Sequence, residues 1–454
     1  MTITPFSSLC AAAAAVTLIL APAHAAVDAQ KAAELKTVLT PMGAEKAGNK
    51  DGSIPAWTGG VATGTPAFVG SGGRRADPYA ADKKLYSVTA KNVAEYSDKL
   101  SDGAKALLKK FPDSYRIDVY PTRRSAAAPQ WVYDNTFKNA TRARLSKSLV
   151  VEEAYGGAPF PIPVNGAEVM ANSLLRWRGE SSRVLQQAYL GTSDGKLVMT
   201  SDATFEQQMP YYFKDGALEK FNGEYLLNRF AVTGPAIRAG EATVSRIDVN
   251  DDKSRAWVYL TGQRRVRMLP NACCDTPAAP TSGVMTYDEL FVFSGRMDRF
   301  NWKLLGKKEM LIPYNDNAFM QPTKVSDVLS AHHLNPDHVR WELHRVWVVE
   351  ASLAPGARHN AVRSVYYVDE DSWMAVLGDR FDAKNQLWKT LFQLPVVAPD
   401  LPGMFAGSYG FVDLLSGTWF ANGLMQEKPK QLQFVPRFKD ANFTSEALAG
   451  TGVY

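Results

Sequence analysis

The chain has 454 residues, of which 46% are hydrophobic and 21% charged, with 51 Lys and Arg against 46 Asp and Glu. This balance is that of a globular protein and excludes a disordered or membrane-embedded chain. A net charge of +5 without a sustained basic block argues against a nucleic-acid partner. The length permits one large β domain or two smaller ones.

Residues 1–25 have the three-part layout of a secretory signal peptide. A polar lead without Lys or Arg precedes an apolar run from Cys10 to Pro22, and Ala23-His24-Ala25 offers small residues for cleavage before Ala26. The run is too short to span a bilayer. No small-residue pair precedes Cys10, so we expect no lipid anchor there. The mature chain, residues 26–454, is therefore predicted to be exported and not membrane-spanning.

Residues 26–178 form a part of the mature chain that is predicted to be rich in helix. Residues 40–79 are rich in Gly and Pro and lack periodicity, which indicates an arm that wraps over the surface. Elsewhere in this part, apolar residues recur at helical spacing. The predicted helices cover residues 29–39, 90–111 with a break at 101–103, 130–145 and 166–177.

From residue 179 onward the pattern changes to long strands joined by tight turns. Such an order indicates an antiparallel sheet, and strands this long favour a strongly curved sheet or an open barrel. We predict an α+β fold with a single domain over residues 26–454. Its core is a large, incomplete antiparallel β-barrel from residues 179–454, with the preceding helices over its concave face. The predicted strands include residues 183–190, 197–204, 243–249, 255–260, 339–352, 362–368, 373–381 and 387–397.

No motif in the chain supplies a catalytic or metal site. Gly191–Gly195 matches the G-x-S-x-G nucleophile pattern, but a strand follows it where a helix is required, so it is a hairpin turn. Asp248–Asp252 resembles the start of a calcium loop, but Lys253 replaces the required glycine. We therefore expect no metal, no cofactor and no enzyme activity. The histidines of the mature chain lack metal-ligand spacing, and we expect structural roles for them: His332, His333, His338, His344 and His359.

One face of the predicted strand 339–352 carries the candidate ligand-binding residues Trp341, Leu343 and Trp347. Their side chains should form a bulky apolar wall. Arg345 lies on the same face and needs either a salt bridge across the sheet, which is the commoner arrangement, or a ligand head group.

Two further arginines are candidate anchors for a polar head group, Arg264 and Arg265. They lie on a strand that also carries Val266. If the face of Val266 is the buried one, Arg264 points inward and Arg265 points outward, which makes Arg265 the weaker candidate.

Only two cysteines follow the signal peptide, Cys273 and Cys274, and they are adjacent. A disulfide between neighbouring residues is strained and easily reduced, because their Cα atoms are only about 3.8 Å apart. A vicinal disulfide and two free thiols are both open, and neither holds the fold together. A redox switch at this pair is not expected, since nothing nearby except the arginines at 264, 265 and 267 favours a thiolate.

Several motifs occur in order along the mature chain, and together they resemble the proteobacterial domain of unknown function 1329. The resemblance extends over nearly the whole mature length. The pair Cys273-Cys274 departs from it, since an aromatic residue is expected beside Asp275-Thr276-Pro277. The motifs are Leu39–Asn49, Ile54–Gly60, Gly262–Arg267, Leu269-Pro270, Asp275–Pro277, Asp298–Leu304, Gly306–Met310, Ile312–Asn315, Leu334–Glu342 and Asp369–Trp373.

The resemblance implies an exported protein in the periplasm of a Gram-negative bacterium. Its expected fold is similar to that of the periplasmic lipoprotein carriers, in which an unclosed antiparallel barrel wraps an apolar cavity. Its implied partners are a hydrophobic small molecule or lipid, an efflux-type inner-membrane exporter and an outer-membrane protein. Trp302, inside the motif Asp298–Leu304, joins the candidate ligand-binding residues. The family has no established catalytic residues, so none is transferred.

These observations favour a carrier for a hydrophobic, lipid-like molecule. A non-catalytic assembly factor that docks on an outer-membrane partner through exposed aromatic side chains is the alternative. An enzyme of unknown reaction is a third possibility.

Overall fold

A computed structural model of the chain describes residues 27–61, 65–69, 73–269 and 273–451. The predicted signal peptide and its cleavage position before Ala26 lie outside the described residues. No helix within the described ranges combines the length and the apolar character that a membrane span requires.

The strands fall mainly after residue 180, as the sequence predicts. Their bounds are β1 Phe68–Val69, β2 Arg74–Arg75, β3 Tyr86–Val88, β4 Ile117–Val119, β5 Arg144–Leu145, β6 Val151–Glu152, β7 Ser181–Gly191, β8 Leu197–Gln208, β9 Glu224–Gly234, β10 Ala242–Asp248, β11 Arg255–Leu260, β12 Arg265–Met268, β13 Phe300–Pro313, β14 Trp341–Leu353, β15 Arg363–Asp369, β16 Ala375–Phe381, β17 Leu387–Ala398, β18 Gly403–Asp413, β19 Trp419–Leu424 and β20 Leu432–Phe434.

The α-helices are few and short. Some of them begin after a residue whose side chain accepts a hydrogen bond from a backbone N–H of the first turn. Ser101 Oγ accepts a hydrogen bond from the Ala104 N–H, and Asn165 Oδ1 accepts one from the Glu168 N–H. The bounds are α1 Ala29–Ala32, α2 Asp102–Lys110, α3 Gln130–Arg142, α4 Gly166–Leu174, α5 Val325–Val328 and α6 Ser445–Thr451, and 3₁₀ turns at Ala33–Lys36 and Val93–Lys99 complete two of the predicted helical segments.

One sheet contains nearly all of the strands. Its order is β12-β11-β10-β9-β8-β7-β19-β18-β17-β16-β15-β14-β4-β3, with β13 also paired to β14 and β20 to β7. Within the described residues, only the pairing of β14 with β4 is parallel. The two ends of this order do not pair with each other, so the sheet is not closed. The predicted large, unclosed antiparallel sheet is confirmed.

Both faces of the central sheet are apolar and buried. On β15, Val365 and Tyr367 pack in one hydrophobic cluster, while Tyr366 and Val368 pack in another. This alternation is what the two-residue repeat of a strand produces. We call the side of Val365 the first face and the side of Tyr366 the second face. Helix α2 lies against the first face through β16 and β17, and α4 lies against the second through β13, β14 and β15.

Strand β14 contributes to both clusters along its length. Trp341 and Leu343 pack in the first-face cluster, whereas Trp347 packs against the second-face cluster. The two ends of the strand also have different neighbours. The segment from Val346 to Ser352 pairs with β15, but the strand begins five residues earlier, where Trp341 pairs with Val119 of β4. The prediction that Trp341 and Trp347 form one wall is therefore wrong.

The N-terminal arm is attached to the sheet by buried polar contacts. The Arg124 guanidinium donates to both carboxylate oxygens of Asp371, at 2.6 and 2.9 Å, and to the Glu45 carbonyl oxygen at 2.8 Å. The indole N–H of the fully buried Trp373 donates to the Met42 carbonyl oxygen at 2.9 Å. These bonds join residues that are 79, 247 and 331 positions apart in the sequence.

Asp379 of β16 holds the beginning of α2 on the first face of the sheet. Its carboxylate accepts hydrogen bonds from the Gly103 N–H at 3.1 Å, the Thr390 hydroxyl at 3.1 Å and the Tyr367 hydroxyl at 3.3 Å. The side chain is fully buried, and this burial raises the pKa of Asp379 to about 6. The folded state therefore binds a proton at this group more tightly than the unfolded chain does.

This pKa predicts how the stability of the protein depends on pH. An unfolded Asp titrates near pH 4, so stability contributed by protonated Asp379 is complete below that pH and is lost as the pH rises through about 6. The side chain in Asp379→Asn cannot ionise. We therefore expect the free energy of unfolding of the wild type to fall by up to about 3 kcal/mol relative to that of the variant between pH 4 and pH 7. Urea unfolding at both pH values measures this difference. The exposed Asp98→Asn is the control, and parallel pH profiles for wild type and Asp379→Asn would contradict the prediction.

Candidate functional site

The second face of the sheet carries a cavity with about 930 Å³ of empty space, its mouth included. Its floor consists of side chains from β7 to β11 and from β18. Residues 287–294, which we call the roof, cover the cavity together with the segment that follows α4. Most of the lining is apolar, as is usual for sites that bind small organic molecules. The aromatic residues of the lining are Phe205, Tyr225, Phe230, Tyr287, Phe291, Phe293 and Tyr409.

The roof is held in place by buried ion pairs. Asp288 Oδ2 lies 2.8 Å from a guanidinium nitrogen of Arg380 and 2.8 Å from His359 Nε2. Glu289 Oε1 lies 2.9 Å from Lys389 Nζ, and Glu289 also completes a capping box with Thr286. Burial opposes ionisation of Asp288, but the charges of Arg380 and His359 hold its pKa well below the usual range. The roof is therefore fixed to β16 and β17, which both lie in the sheet.

The roof backbone is strained where it passes over the cavity. Phe291 and Val292 are consecutive residues with φ of 54° and 71°, in the left-handed region that a β-branched residue rarely adopts. The Phe291 ring packs against Tyr409 with centroids 4.4 Å apart. Such strain persists only where surrounding contacts impose it, and it occurs often at ligand-binding segments.

Two buried arginines line the cavity, Arg176 and Arg178. Their residues are only 4% and 6% exposed. Arg176 donates to the Ser173 carbonyl oxygen at 2.9 Å and Arg178 to the Leu174 carbonyl oxygen at 2.8 Å, both at the C-terminal end of α4. Among the described residues, no carboxylate forms an ion pair with either guanidinium, and the Nε atoms of both are buried without a hydrogen-bond partner.

Burial is the main cause of the pKa shifts of Arg176 and Arg178. It lowers the pKa of Arg176 well below the usual value, and the neighbouring Arg178 charge lowers it further. Burial also lowers the pKa of Arg178. Both shifts reflect positive charge that no anion among the described residues compensates. The arrangement can bind an anionic group.

The structure does not bring the predicted ligand-binding residues together in this cavity. Trp341 lines a different, apolar cavity with about 560 Å³ of empty space on the first face, and Leu343 is core there. Trp347 is half-buried, with its ring 6.2 Å from Trp373 and Lys307 Nζ 4.6 Å above it. Trp302 is nearest to the second-face cavity, since its ring packs on Phe293 at 5.2 Å. A ligand role for any of them stays a prediction.

The predicted arginine anchors lie elsewhere. Arg345 forms ion pairs with Glu370 at 3.4 Å and Glu45 at 3.5 Å, the salt-bridge arrangement that its position allowed. The inward orientation predicted for Arg264 is wrong, because Arg264 and Arg265 are both exposed. Arg264 precedes β12 and has φ of 48°, so the strand alternation does not begin until the next residue.

The histidines are dispersed, and three of them have polar partners. His344 Nε2 lies 3.0 Å from Glu342, and donor atoms of His344, Asp369 and Asp371 lie within 4.8 Å of one another. These three groups already have partners, since Asp371 binds Arg124 and Asp369 accepts from Ser372 at 2.6 Å. We therefore assign the group to attachment of the N-terminal arm. The other partners are Ser114 for His333, at 3.0 Å, and Asp288 for His359, at 2.8 Å.

The sequence alone did not identify Arg176 and Arg178. What distinguishes them is that no described carboxylate pairs with either one, and this depends on the fold, not on the local sequence. One signal was available. The run Arg176-Trp177-Arg178 follows directly after the apolar helix pattern and precedes the first long strand. Two arginines at a helix end are common capping residues, so this signal alone does not indicate a binding site.

Trp341 provides a test that separates core packing from ligand binding. Because its ring is 5% exposed and packs in the first-face cluster, we expect Trp341→Ala to lower the free energy of unfolding by about 3–5 kcal/mol. We expect binding of a neutral naphthylamine dye in the second-face cavity to remain unchanged. Loss of dye binding with little loss of stability would instead place Trp341 in the ligand site. Denaturant titration and fluorescence measure the two quantities.

The cysteine pair provides a second test. Both residues carry free thiols, Cys274 is buried, and its φ is 62°. We expect two free thiols per mature chain by thiol counting under denaturing conditions. Cys273→Ser with Cys274→Ser should shift the melting temperature by less than about 3 °C, since the substitution breaks no disulfide and a ring between neighbouring residues would in any case scarcely constrain the unfolded chain. A larger decrease would show that this loop supports the fold.

Comparison with known proteins places the chain in a group without an assigned activity. The family model described as "Protein of unknown function (DUF1329)" matches residues 87–449. An uncharacterized protein of Pseudomonas aeruginosa is 40% identical over 446 residues, which is 97% of each chain.

Three solved structures show weaker similarity. A domain from Vibrio parahaemolyticus described as an outer membrane lipoprotein-sorting protein is 13% identical and covers 63% of this chain and 98% of its own, with a TM-score of 0.44. A DUF1329 family protein from Desulfovibrio piger is 14% identical, with coverages of 60% and 92% and a TM-score of 0.40. A LolA superfamily protein from Nitrosomonas europaea is 11% identical, with coverages of 63% and 100% and a TM-score of 0.35.

Proposed function

This chain belongs to the DUF1329 family of proteins of unknown function, so the family does not indicate an activity. From the cavity, we propose that the protein binds and carries a hydrophobic, lipid-like molecule. The observation that carries the proposal is the aromatic cavity between the sheet and the roof 287–294. Its apolar lining favours a ligand that is poorly soluble in water, and its few polar groups can orient that ligand.

A carrier fits this cavity better than an enzyme does. The described residues that line it include no Asp, Glu, His, Lys or Cys, so its Ser, Thr and Tyr hydroxyl groups have no carboxylate, imidazole or amine beside them in the lining to activate them. The ion pairs of Asp288 and Glu289 preform the roof, so binding does not have to organise it. We therefore propose that the protein binds its ligand without transforming it.

The proposed location is the periplasm, on the strength of the signal-peptide pattern in residues 1–25. We further propose that the carrier exchanges its ligand with an efflux-type exporter of the inner membrane and with an outer-membrane protein. This extension rests on the family resemblance alone.

The alternative of an assembly factor that docks through exposed aromatic side chains finds less support. Among the described residues, every Phe and Trp is buried or half-buried. The large apolar side chains that are exposed are aliphatic: Val38, Leu85, Val164, Leu197, Val198, Ile237, Met268, Leu305 and Leu415.

The proposal is tested by extracting the protein purified from the periplasm of its host with organic solvent. We expect mass spectrometry to find a defined apolar compound in stoichiometric amount. Ser245→Phe inserts a ring into the cavity from the floor strand β10, and we expect it to lower the amount of bound compound at least about ten-fold. Ser245→Ala is the matched control and should retain the compound. An empty wild-type protein that binds no apolar probe would refute the carrier function.

A further inference from the structure

Arg176 and Arg178 bring positive charge into a cavity whose described lining holds no negative charge. We infer that the ligand has an anionic head group, a carboxylate or a phosphate monoester, which these two guanidinium groups bind while its apolar chain lies along the aromatic floor. This inference rests on the proposed carrier function and specifies the chemical class of the cargo.

Arg176 and Arg178 differ from the other buried arginines of the described ranges in their lack of an ion-pair partner. Five further described arginines are less than 9% exposed, and each forms an ion pair with a carboxylate. Of the buried arginines that the structure describes, only the two of the cavity lack such a partner. The paired arginines are Arg75 with Asp400, Arg124 with Asp371, Arg340 with Glu342, Arg345 with Glu370 and Arg380 with Asp288.

Capping of α4 does not account for the pair. A guanidinium has five N–H donors, and each of these arginines gives one hydrogen bond to a carbonyl oxygen of the helix end. A carbonyl dipole compensates a full charge only in part, and a buried charge without a counterion destabilises a fold. A bound anion would supply the missing charge and accept the remaining N–H groups, since carboxylate and phosphate oxygens match the guanidinium fork.

The surroundings of the pair fit an amphiphile rather than a free anion. The Arg178 guanidinium carbon lies 6.0 Å from the centre of the Phe291 ring, and Tyr287 also lines the cavity. Phe205 and Phe230, whose ring centroids are 6.3 Å apart, continue the apolar surface away from these polar groups. A neutral or cationic head group would leave both arginine charges uncompensated.

The test compares probes that share one chain and differ only in the head group. The mature protein is titrated with dodecanoate, dodecyl phosphate, dodecanol and dodecyltrimethylammonium, and with acetate and inorganic phosphate alone. We expect one or both anionic amphiphiles to bind about ten- to a hundred-fold more tightly than dodecanol, the range that hydrogen bonds to a charged group provide. Saturable binding of acetate or phosphate as tight as that of the amphiphiles would overturn the inference, because the site would then hold a free anion.

Variants assign the preference to the two arginines. Arg176→Met and Arg178→Met keep side-chain length but remove charge, and each should reduce the preference for the anionic probe at least about ten-fold while dodecanol binding changes little. Arg178→Lys keeps the charge and should retain part of the preference. The exposed Arg255→Met is the control for a change in net charge.

A second measurement separates ligand binding from a structural role. Without ligand, the Met variants should melt at the same temperature as the wild type or higher, because an uncompensated buried charge has been removed. A lower melting temperature together with an unchanged head-group preference would assign the arginines to capping of α4 and overturn the inference. Equal binding of dodecanoate, dodecyl phosphate and dodecanol would overturn it as well but leave the carrier function standing. Failure of every apolar probe to bind would refute the carrier function itself.

Discussion

The architecture depends on one constraint, namely that both faces of a single large sheet are apolar and both must be covered. A sheet that stays open cannot bury its inner face against itself, so other parts of the chain have to cover it. Helix α2 and the first-face cluster cover one side, and α4 with the roof 287–294 covers the other. The N-terminal arm follows from the same need, since its contacts through Arg124 and Trp373 attach it to the turn after β15. The second-face cavity is a place where this cover is incomplete.

Within the part of the chain that the structure describes, buried charges are compensated by opposite charges in the roof and are uncompensated in the cavity next to it. Arg380, Lys389 and His359 compensate the roof carboxylates, so their contacts hold the structure in one arrangement. The cavity lies beside this network and has the opposite property, because among the described residues the hydrogen-bond acceptors of its two arginines are carbonyl oxygens alone. The proposed carrier function uses both features. In that proposal the preformed roof keeps the apolar space open, and the uncompensated charge favours one class of ligand.

Local pattern predicted the strands and turns well and the environment of individual side chains poorly. The turn at residues 192–195 and the strands on each side of it follow from Asp-Gly and two-residue alternation, which act over a few positions. Arg345 shows the limit of such reasoning. Its partners Glu370 and Glu45 lie 25 and 300 positions away, and nothing in the strand itself indicates them. Trp341 and Trp347 share a strand face by alternation, yet they pack in different clusters, at the two ends of a strand whose neighbour changes from β4 to β15.

The sequence by itself determined that the chain is rich in long antiparallel strands after residue 179, that helices precede them, and which family it resembles. These features depend on periodicity, turn residues and ordered motifs, all of which are local or directly readable. Tertiary structure alone decided where the cavity lies and that Arg176 and Arg178 line it without a carboxylate. Whether a buried charge has a partner depends on which distant strands and loops pack around it. That is settled only when the sheet has formed and both of its faces have been covered.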